Sequence, residues 1–271
     1  MSTVSFVKAH ACGNDFLVME ETAAKGRHAA MAQKLCARNT GIGADGIEFL
    51  DRRADGSFFL RLFNADGSEA ELSGNGTRCV AAWLAASEGL EEVALGTHGG
   101  VRTCRVVECK GAEWWIESGM GVPRVMPRKI EIAGVAGVID GAMVNVGNPH
   151  YVIFVESEDF SSHGLSWQEL GAKISVDPMF KFGTNVEFVR VLGENEIAFR
   201  IFERGCGPTT SSGTGTCASS SAAIVLRGVA RTLTAVAQGG TQSVVWPSDQ
   251  EQMMLTGPAE IICRGEAEFG A

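Results

Sequence analysis

The sequence predicts a mixed fold, α/β of the α+β kind, built as two pseudo-symmetric domains. Each is expected to be a curved, mostly antiparallel sheet wrapped around a central helix, with the active site in the cleft between them. Three observations carry the prediction. FNADGSEAELSGNGT from Phe63 and FERGCGPTTSSGTGT from Phe202 share a Ser-Gly-X-Gly-Thr core, and Ser73 and Ser212 are separated by the same 139 positions as the two Phe residues. Spacing kept without a gap marks internal duplication. Short β-rich runs dominate the chain, and several alternate apolar with polar as a half-solvated sheet requires. Two segments, CVAAWLAAS and CASSSAAIVL, are small or apolar nearly all round, as buried helices are.

In chain order, VSFVKA and DFLVM read as the first strands, HAAMAQKLCARN as an amphipathic helix, and GIEFL and FFLRLF as further strands. The SGNGT turn then opens the first buried helix, and GGVRTCRVVE and EWWIE follow as strands. GMGVPRVMP, from Gly119 to Pro127, breaks the strand pattern and sets the boundary between the halves. The expected domains are 1–120 and 121–262, with a final strand over 263–271 returning to the first. The second half runs through KIEIA, MVNVG and HYVIFV as strands, WQELGAKI as a short helix, then NVEFVRVL and EIAFRIF. The SGTGT turn opens the second buried helix, and LTAVA, SVVW and AEIIC complete the chain. GGVRT from Gly99 echoes GGTQS from Gly239, and GNDFLVM from Gly13 echoes GNPHYVIFV from Gly147.

At 271 residues, the chain is long enough for two domains of moderate size. A net charge of −9 argues against nucleic acid as a partner, because phosphate binding needs a basic surface. No apolar run approaches the roughly 18 residues that cross a bilayer, and MSTVSFVKAHACGNDF has no signal-peptide pattern, so the cytoplasm is the expected location. The eight cysteines are scattered without a CxxC pair, which fits a reducing compartment better than a disulfide framework. Neither they nor the five histidines cluster at zinc-ligand spacing, and no metal is expected.

GIGADG, from Gly41 to Gly46, matches GxGxxG, but a helical pattern precedes it and a strand follows. That is the reverse of a dinucleotide-binding turn. No phosphate-binding GxxxxGK[ST] loop and no GxSxG elbow is present. The duplicated turns carry more. Their glycines let backbone N–H groups approach a ligand closely, and a helix's first turn leaves those donors unpaired with a partial positive charge. A carboxylate or phosphate would sit there beside Ser73, although a plain loop-to-helix turn uses the same residue types. Two such N-termini facing one cleft, with Ser73 and Ser212 at equal offsets, suit a reaction needing one group on each face of a carbon. Inversion of a stereocentre alpha to a carboxylate is that reaction, with N–H donors stabilising the charge that develops as the proton leaves.

MSTVSFVKAHACGNDFLV, GIGADGIEFL, FNADGSEAELSGNGTRC, GNPHYVIFV, FGTNVEFV and FERGCGPTTSSGTGTCAS stand in the order and spacing of the diaminopimelate epimerase family, which the chain resembles over essentially its full length. The resemblance implies two similar domains and epimerisation of LL- to meso-diaminopimelate, without pyridoxal phosphate or metal, in lysine and cell-wall biosynthesis. It implies a small amino-acid substrate and is compatible with a homodimer. By position, Asn14, Asn64, Asn148 and Asn185 resemble the family's substrate-binding amides. Glu203 and Arg204 resemble a pair that grips the substrate, and Gly74, Asn75, Gly213 and Thr214 resemble its backbone carboxylate seats. His150 and Glu203 are the implied neighbours of the two acid–base positions.

At those two positions the family carries cysteine, and this chain carries Ser73 and Ser212. A thiol near 8.5 is tunable to neutrality, and general acid–base catalysis works best with a pKa near the operating pH. A hydroxyl keeps the shape and a hydrogen bond but is a poor base. The expectation is a cofactor-independent racemase or epimerase using two-base proton transfer, impaired by the two serines. The alternatives are a catalytically silent amino-acid-binding relative and a hydroxyproline dehydratase-like lyase of the same superfamily.

Overall fold

In the computed structural model, which describes residues 2–270, the chain divides into two compact units. One takes the residues up to Ser118 together with those from Thr256, and the other is Gly119–Leu255.

The first unit begins with β1 (Ser2–Ala11) and β2 (Asn14–Glu20), joined by a two-residue turn in which Cys12 and Gly13 both have positive φ. After α1 (Glu21–Ala24) and α2 (His28–Leu35) the chain returns as β3 (Gly46–Arg52), parallel to β2, and reverses into β4 (Phe58–Asn64). The short β5 (Glu69–Ala70) leads into α3 (Gly74–Glu88), followed by β6 (Glu92–Thr97), β7 (Gly100–Lys110) and β8 (Glu113–Gly119).

The second unit repeats the plan. It runs β9 (Arg124–Ile130), β10 (Ile139–Asn145), β11 (Pro149–Phe154), α4 (Trp167–Ser175), β12 (Asn185–Gly193), β13 (Glu196–Glu203), β14 (Gly207–Thr209), α5 (Gly213–Arg227), β15 (Thr232–Ala237) and β16 (Gly240–Val245). Its pairings mirror the first: β11–β12 is parallel like β2–β3, β13–β15 like β4–β6, and the hairpins are antiparallel. Register is conserved to the residue. Ile47 faces Phe63 in one unit and Val186 faces Phe202 in the other, both pairs offset by the 139 positions seen in the sequence.

Alternation along the central strands divides each unit's core in two, because successive side chains leave a strand on opposite faces. Phe16, Val18 and Leu50 pack with Cys79, Val80 and Leu84 of α3, whereas Leu17, Met19, Ile47 and Phe49 pack with Met31 and Leu35 of α2. In the second unit Val189, Ile197 and Ile201 pack with Cys217, Ala218 and Ala222 of α5, and Tyr151, Val186 and Phe188 pack with Leu170 and Ile174 of α4. The near-continuous small residues of α3 and α5 are what permit sheet contact around the helix. Both helices end on a left-handed glycine, Gly89 and Gly228, where a residue with a Cβ would be strained.

Two expectations need correction. The GMGVPRVMP stretch is not unstructured throughout, since β9 starts at Arg124 and carries Pro127 opposite Ala142. Most of β9 is solvent-exposed, and a strand with so little buried surface tolerates a residue that lacks an N–H donor. The return to the first unit also begins at Thr256, earlier than 263, within the single strand β17 (Met254–Phe269). β17 pairs antiparallel with β1 from Glu260 opposite His10 to Phe269 opposite Ser2, so it acts as one continuous element.

Candidate active site

Ser73 is extended, at φ −124°, and its Oγ accepts the Gly76 N–H at 3.0 Å. Ser212 is likewise extended, at φ −146°, and its Oγ accepts the Gly215 N–H at 3.3 Å. Both serines are therefore N-caps, each satisfying one of the orphan donors of its helix. Ser73 is half-buried, whereas Ser212 is buried.

In the first unit a hydrogen-bonded chain runs behind the N-terminus of α3. Arg78 Nη2 donates to Asn75 Oδ1 at 2.5 Å, Asn75 Nδ2 to Asn14 Oδ1 at 3.2 Å, and Asn14 Nδ2 to Asp45 Oδ2 at 2.6 Å. Arg38 then bridges Asp45 Oδ1 at 2.7 Å and Asp15 Oδ1 at 2.8 Å, and Lys8 reaches Asp15 at 3.1 Å. Burial works against the Asp15 charge, but Arg38 and Lys8 outweigh it and hold the carboxyl below its ordinary range. The structure thus brings Asn14 and Asn75 together. Asn64, at the end of β4, instead donates to Ser68 Oγ at 3.0 Å.

In the second unit Ser212 Oγ lies 3.4 Å from Thr214 Oγ1, which accepts from Asn148 Nδ2 at 3.4 Å. Asn148 Oδ1 is 2.8 Å from His150 Nε2, and His150 Nδ1 is 2.6 Å from Glu187 Oε1. His150 is therefore linked to Ser212 through two residues. Asn185 is committed to backbone, donating to Pro149 O at 3.0 Å and accepting the Arg204 N–H at 2.9 Å. Arg204 is exposed and donates to Phe182 O at 3.1 Å, while Glu203 Oε1 accepts the Thr209 hydroxyl at 2.6 Å. Gly213 opens α5 and Gly74 opens α3, as a backbone seat requires.

Three residues of this neighbourhood were not singled out from the sequence. Glu48 and Glu187 are equivalent residues on β3 and β12, both almost wholly buried under the first turns of α3 and α5. A Cβ on Gly76 would lie 1.9 Å from Glu48 Oε1, and one on Gly215 would lie 3.2 Å from Glu187 Oε1. Burial raises the Glu48 carboxyl to about 8 and the Glu187 carboxyl above its ordinary value, the latter offset in part by His150. The third residue is Arg78, fully buried, whose Nε and Nη1 have no hydrogen-bond partner among the described residues. A glutamate in the middle of an apolar strand, twice at one spacing, was the available signal for the first two.

The family model of diaminopimelate epimerase matches residues 6–126 and again 142–262, one match to each half of the chain. The chain belongs to the diaminopimelate epimerase family. It is 35% identical to the diaminopimelate epimerase of Synechocystis sp., covering 98% of this chain and 99% of that one. It is 34% identical to the diaminopimelate epimerase of Pelotomaculum thermopropionicum, covering 97% and 99%. Among solved structures, a hydroxyproline epimerase from Agrobacterium vitis has a TM-score of 0.73 at 14% identity, covering 98% of this chain and 91% of that one. A PhzF-family phenazine biosynthesis protein from Bacillus anthracis also reaches 0.73, at 15% identity, covering 99% and 100%. At such identities these two likenesses concern the fold alone. The pseudo-symmetric two-domain architecture of this family of enzymes is the one described above. No helix among the described residues is long and apolar enough to cross a membrane.

Proposed function

We propose that this member of the diaminopimelate epimerase family inverts the α-carbon of an amino acid, LL- to meso-diaminopimelate, by proton transfer without pyridoxal phosphate or metal. Ser73 and Ser212 are the two acid–base groups for one α-carbon. The observation that carries the reading is the duplicated N-cap: two helices of equal length, each opened by Ser-Gly-X-Gly-Thr, each presenting a hydroxyl beside the backbone N–H donors of a first helical turn. Those donors suit a carboxylate and the charge that builds on it during deprotonation. Asn14 and Asn75 of the first unit and Asn148, Thr214 and His150 of the second supply polar groups suited to orienting such a substrate. Asn64, Asn185, Glu203 and Arg204 complete the proposed binding set. Eight scattered cysteines without a CxxC pair favour a cytoplasmic setting.

The test is incubation of LL-diaminopimelate with the protein in heavy water. Deuterium at the α-carbon together with meso product is expected. A second reading, binding without turnover, is favoured by the use of both hydroxyls as helix caps. Calorimetric binding with no label incorporated would establish it and refute the first.

A further inference from the structure

The hydrogen-bonded chain behind the N-terminus of α3 has a direction. It starts at Arg78, whose guanidinium only donates, and ends at the Asp45 carboxylate, which only accepts. Between them Asn75 accepts from Arg78 Nη2 at 2.5 Å and donates to Asn14 Oδ1 at 3.2 Å, and Asn14 donates to Asp45 Oδ2 at 2.6 Å. Turning over the Asn75 amide would set donor against donor at Arg78. Turning over the Asn14 amide would set acceptor against acceptor at Asp45. Asp45 is itself held, by Arg38 at 2.7 Å and by the Asp15 N–H at 3.1 Å. Arg78 is fully buried, and its Nε and Nη1 lack a partner among the described residues, so its charge costs stability rather than adding to it. What Arg78 supplies is a direction for Asn75.

We propose that Arg78 and Asp45 are positioning residues that lock the Asn14 side-chain amide in one orientation toward the substrate. The proposal rests on the epimerase reading, in which Asn14 is a substrate amide, and adds what orients it. The lock fixes the second Nδ2 proton and the second Oδ1 lone pair of Asn14, so a substrate meets a set pattern of one donor and one acceptor. An amide free to turn would offer that pattern only part of the time, and affinity would fall by the same fraction. Either charged end sets the direction while the bonds hold, because each bond dictates the next. The device is therefore redundant, and only loss of both ends frees the amides.

The duplicated unit provides the internal contrast. Register places His150 opposite Asn185 where Phe16 stands opposite Gly46, so Asn148 is the counterpart of Asn14. Asn148 meets Thr214, which stands 139 positions after Asn75, at 3.4 Å. The contact between a loop amide and the second residue of the helix is thus common to both units. The charged ends are not. At the same offset of 139, Cys217 replaces Arg78 and Thr184 replaces Asp45. The second chain runs instead through the hydroxyls of Thr214 and Ser212 and the imidazole of His150, groups that can each donate or accept. One unit presents a fixed pattern and the other an adaptable one.

The test is ¹⁵N relaxation of the side-chain NH₂ groups in the full-length labelled protein. Order parameters report motion on the ps–ns scale and relaxation dispersion on the μs–ms scale. The Asn14 and Asn75 groups, assigned through their loss in Asn14→Ala and Asn75→Ala, should have order parameters of about 0.8 without dispersion in the unaltered chain, in Arg78→Met and in Asp45→Ala. When Arg78→Met and Asp45→Ala are combined, they should fall below about 0.6 or show dispersion. Calorimetry with LL-diaminopimelate gives the second readout. The Kd of the double variant should exceed the product of the two single-variant increases by about 2-fold or more, because two equally populated arrangements halve the competent fraction. Separate effects of the two charges on the ligand would only multiply. A mobile Asn14 in the unaltered chain, a result that needs no variant to fold, overturns the proposal. So do single-variant increases that simply multiply. No binding of LL-diaminopimelate by the unaltered chain counts against the epimerase reading alone, and the relaxation data still decide the lock.

Discussion

Replacing Glu48 with Gln should make the protein more stable at alkaline pH and leave it nearly unchanged in acid. The carboxyl is 1% exposed, and its Oε1 has no hydrogen-bond partner among the described residues. Burial raises it from 4.5 to about 8. Below the lower value both folded and unfolded chains carry the proton, and there is no pH-dependent contribution. Between the two values the folded chain keeps a proton that the unfolded chain has released. Stability therefore falls as pH rises, by about 1.4 kcal/mol for each pH unit. Above about 8 both states are ionised and the loss is complete, on the order of 5 kcal/mol. Gln has the same shape and no charge to bury, so its variant lacks this slope. The assay is urea denaturation of both proteins at intervals from acid to alkaline pH. The difference in unfolding free energy should open steadily across the window in favour of Glu48→Gln. Parallel curves for the two proteins would show that Glu48 is ionised or solvated in the folded state, and the reasoning would fail.

Four further outcomes are expected. Changing both Ser73 and Ser212 to Cys should raise α-deuterium incorporation from LL-diaminopimelate by about 100-fold or more, measured by mass spectrometry. The same double variant should lose about 1 kcal/mol of stability per site in urea, because sulfur is a weaker cap than a hydroxyl. Gly76→Ala should be destabilising because its Cβ meets Glu48 Oε1 at 1.9 Å, and much less so combined with Glu48→Ala, a coupling of about 1–3 kcal/mol in a double-mutant cycle. Of the eight thiols, Cys109, Cys206 and Cys263 are exposed and should react promptly with a chromogenic disulfide, the other five only on unfolding.

The architecture was legible because duplication, alternation and small-residue helices are all local patterns. The 139-residue offset reappears as strand register, with Glu48 opposite Leu62 and Glu187 opposite Ile201. What sequence could not supply was partnership. Asn185 bonds two backbone groups and Asn64 a serine, pairings that the residue types alone do not announce. The two buried glutamates were overlooked for a related reason. GIEFL and NVEFV were read as strands by their apolar majority, yet the single acidic side chain lies on the face toward the central helix, where its cost is greatest. His150 was placed near an acid–base position by family likeness, and its connection through Asn148 and Thr214 needed coordinates.

On the proposed two-base reading, the caps at Ser73 and Ser212 make hydroxyls limit proton removal more than proton delivery. Ionising a water-like hydroxyl at neutrality costs on the order of 12 kcal/mol, because its ordinary pKa lies far above the working range. The cap geometry returns part of this. A backbone N–H held on the charged oxygen contributes about 1.5–3 kcal/mol, and the helix terminus up to about 2 kcal/mol. The shortfall is still roughly 7 kcal/mol or more. A thiol needs only about 2 kcal/mol at the same pH, and the same surroundings cover that entirely. Identical scaffolding therefore makes a thiolate the resting form and leaves a hydroxyl protonated. Both serines begin as donors, while epimerisation needs one acceptor. The acceptor must therefore be formed as an alkoxide, at most of the cost given above. Abstraction is then the slow step, and an α-deuterated substrate should react several-fold more slowly than the protiated one. Equal rates for the two substrates would place the slow step elsewhere and remove the hydroxyl from the explanation.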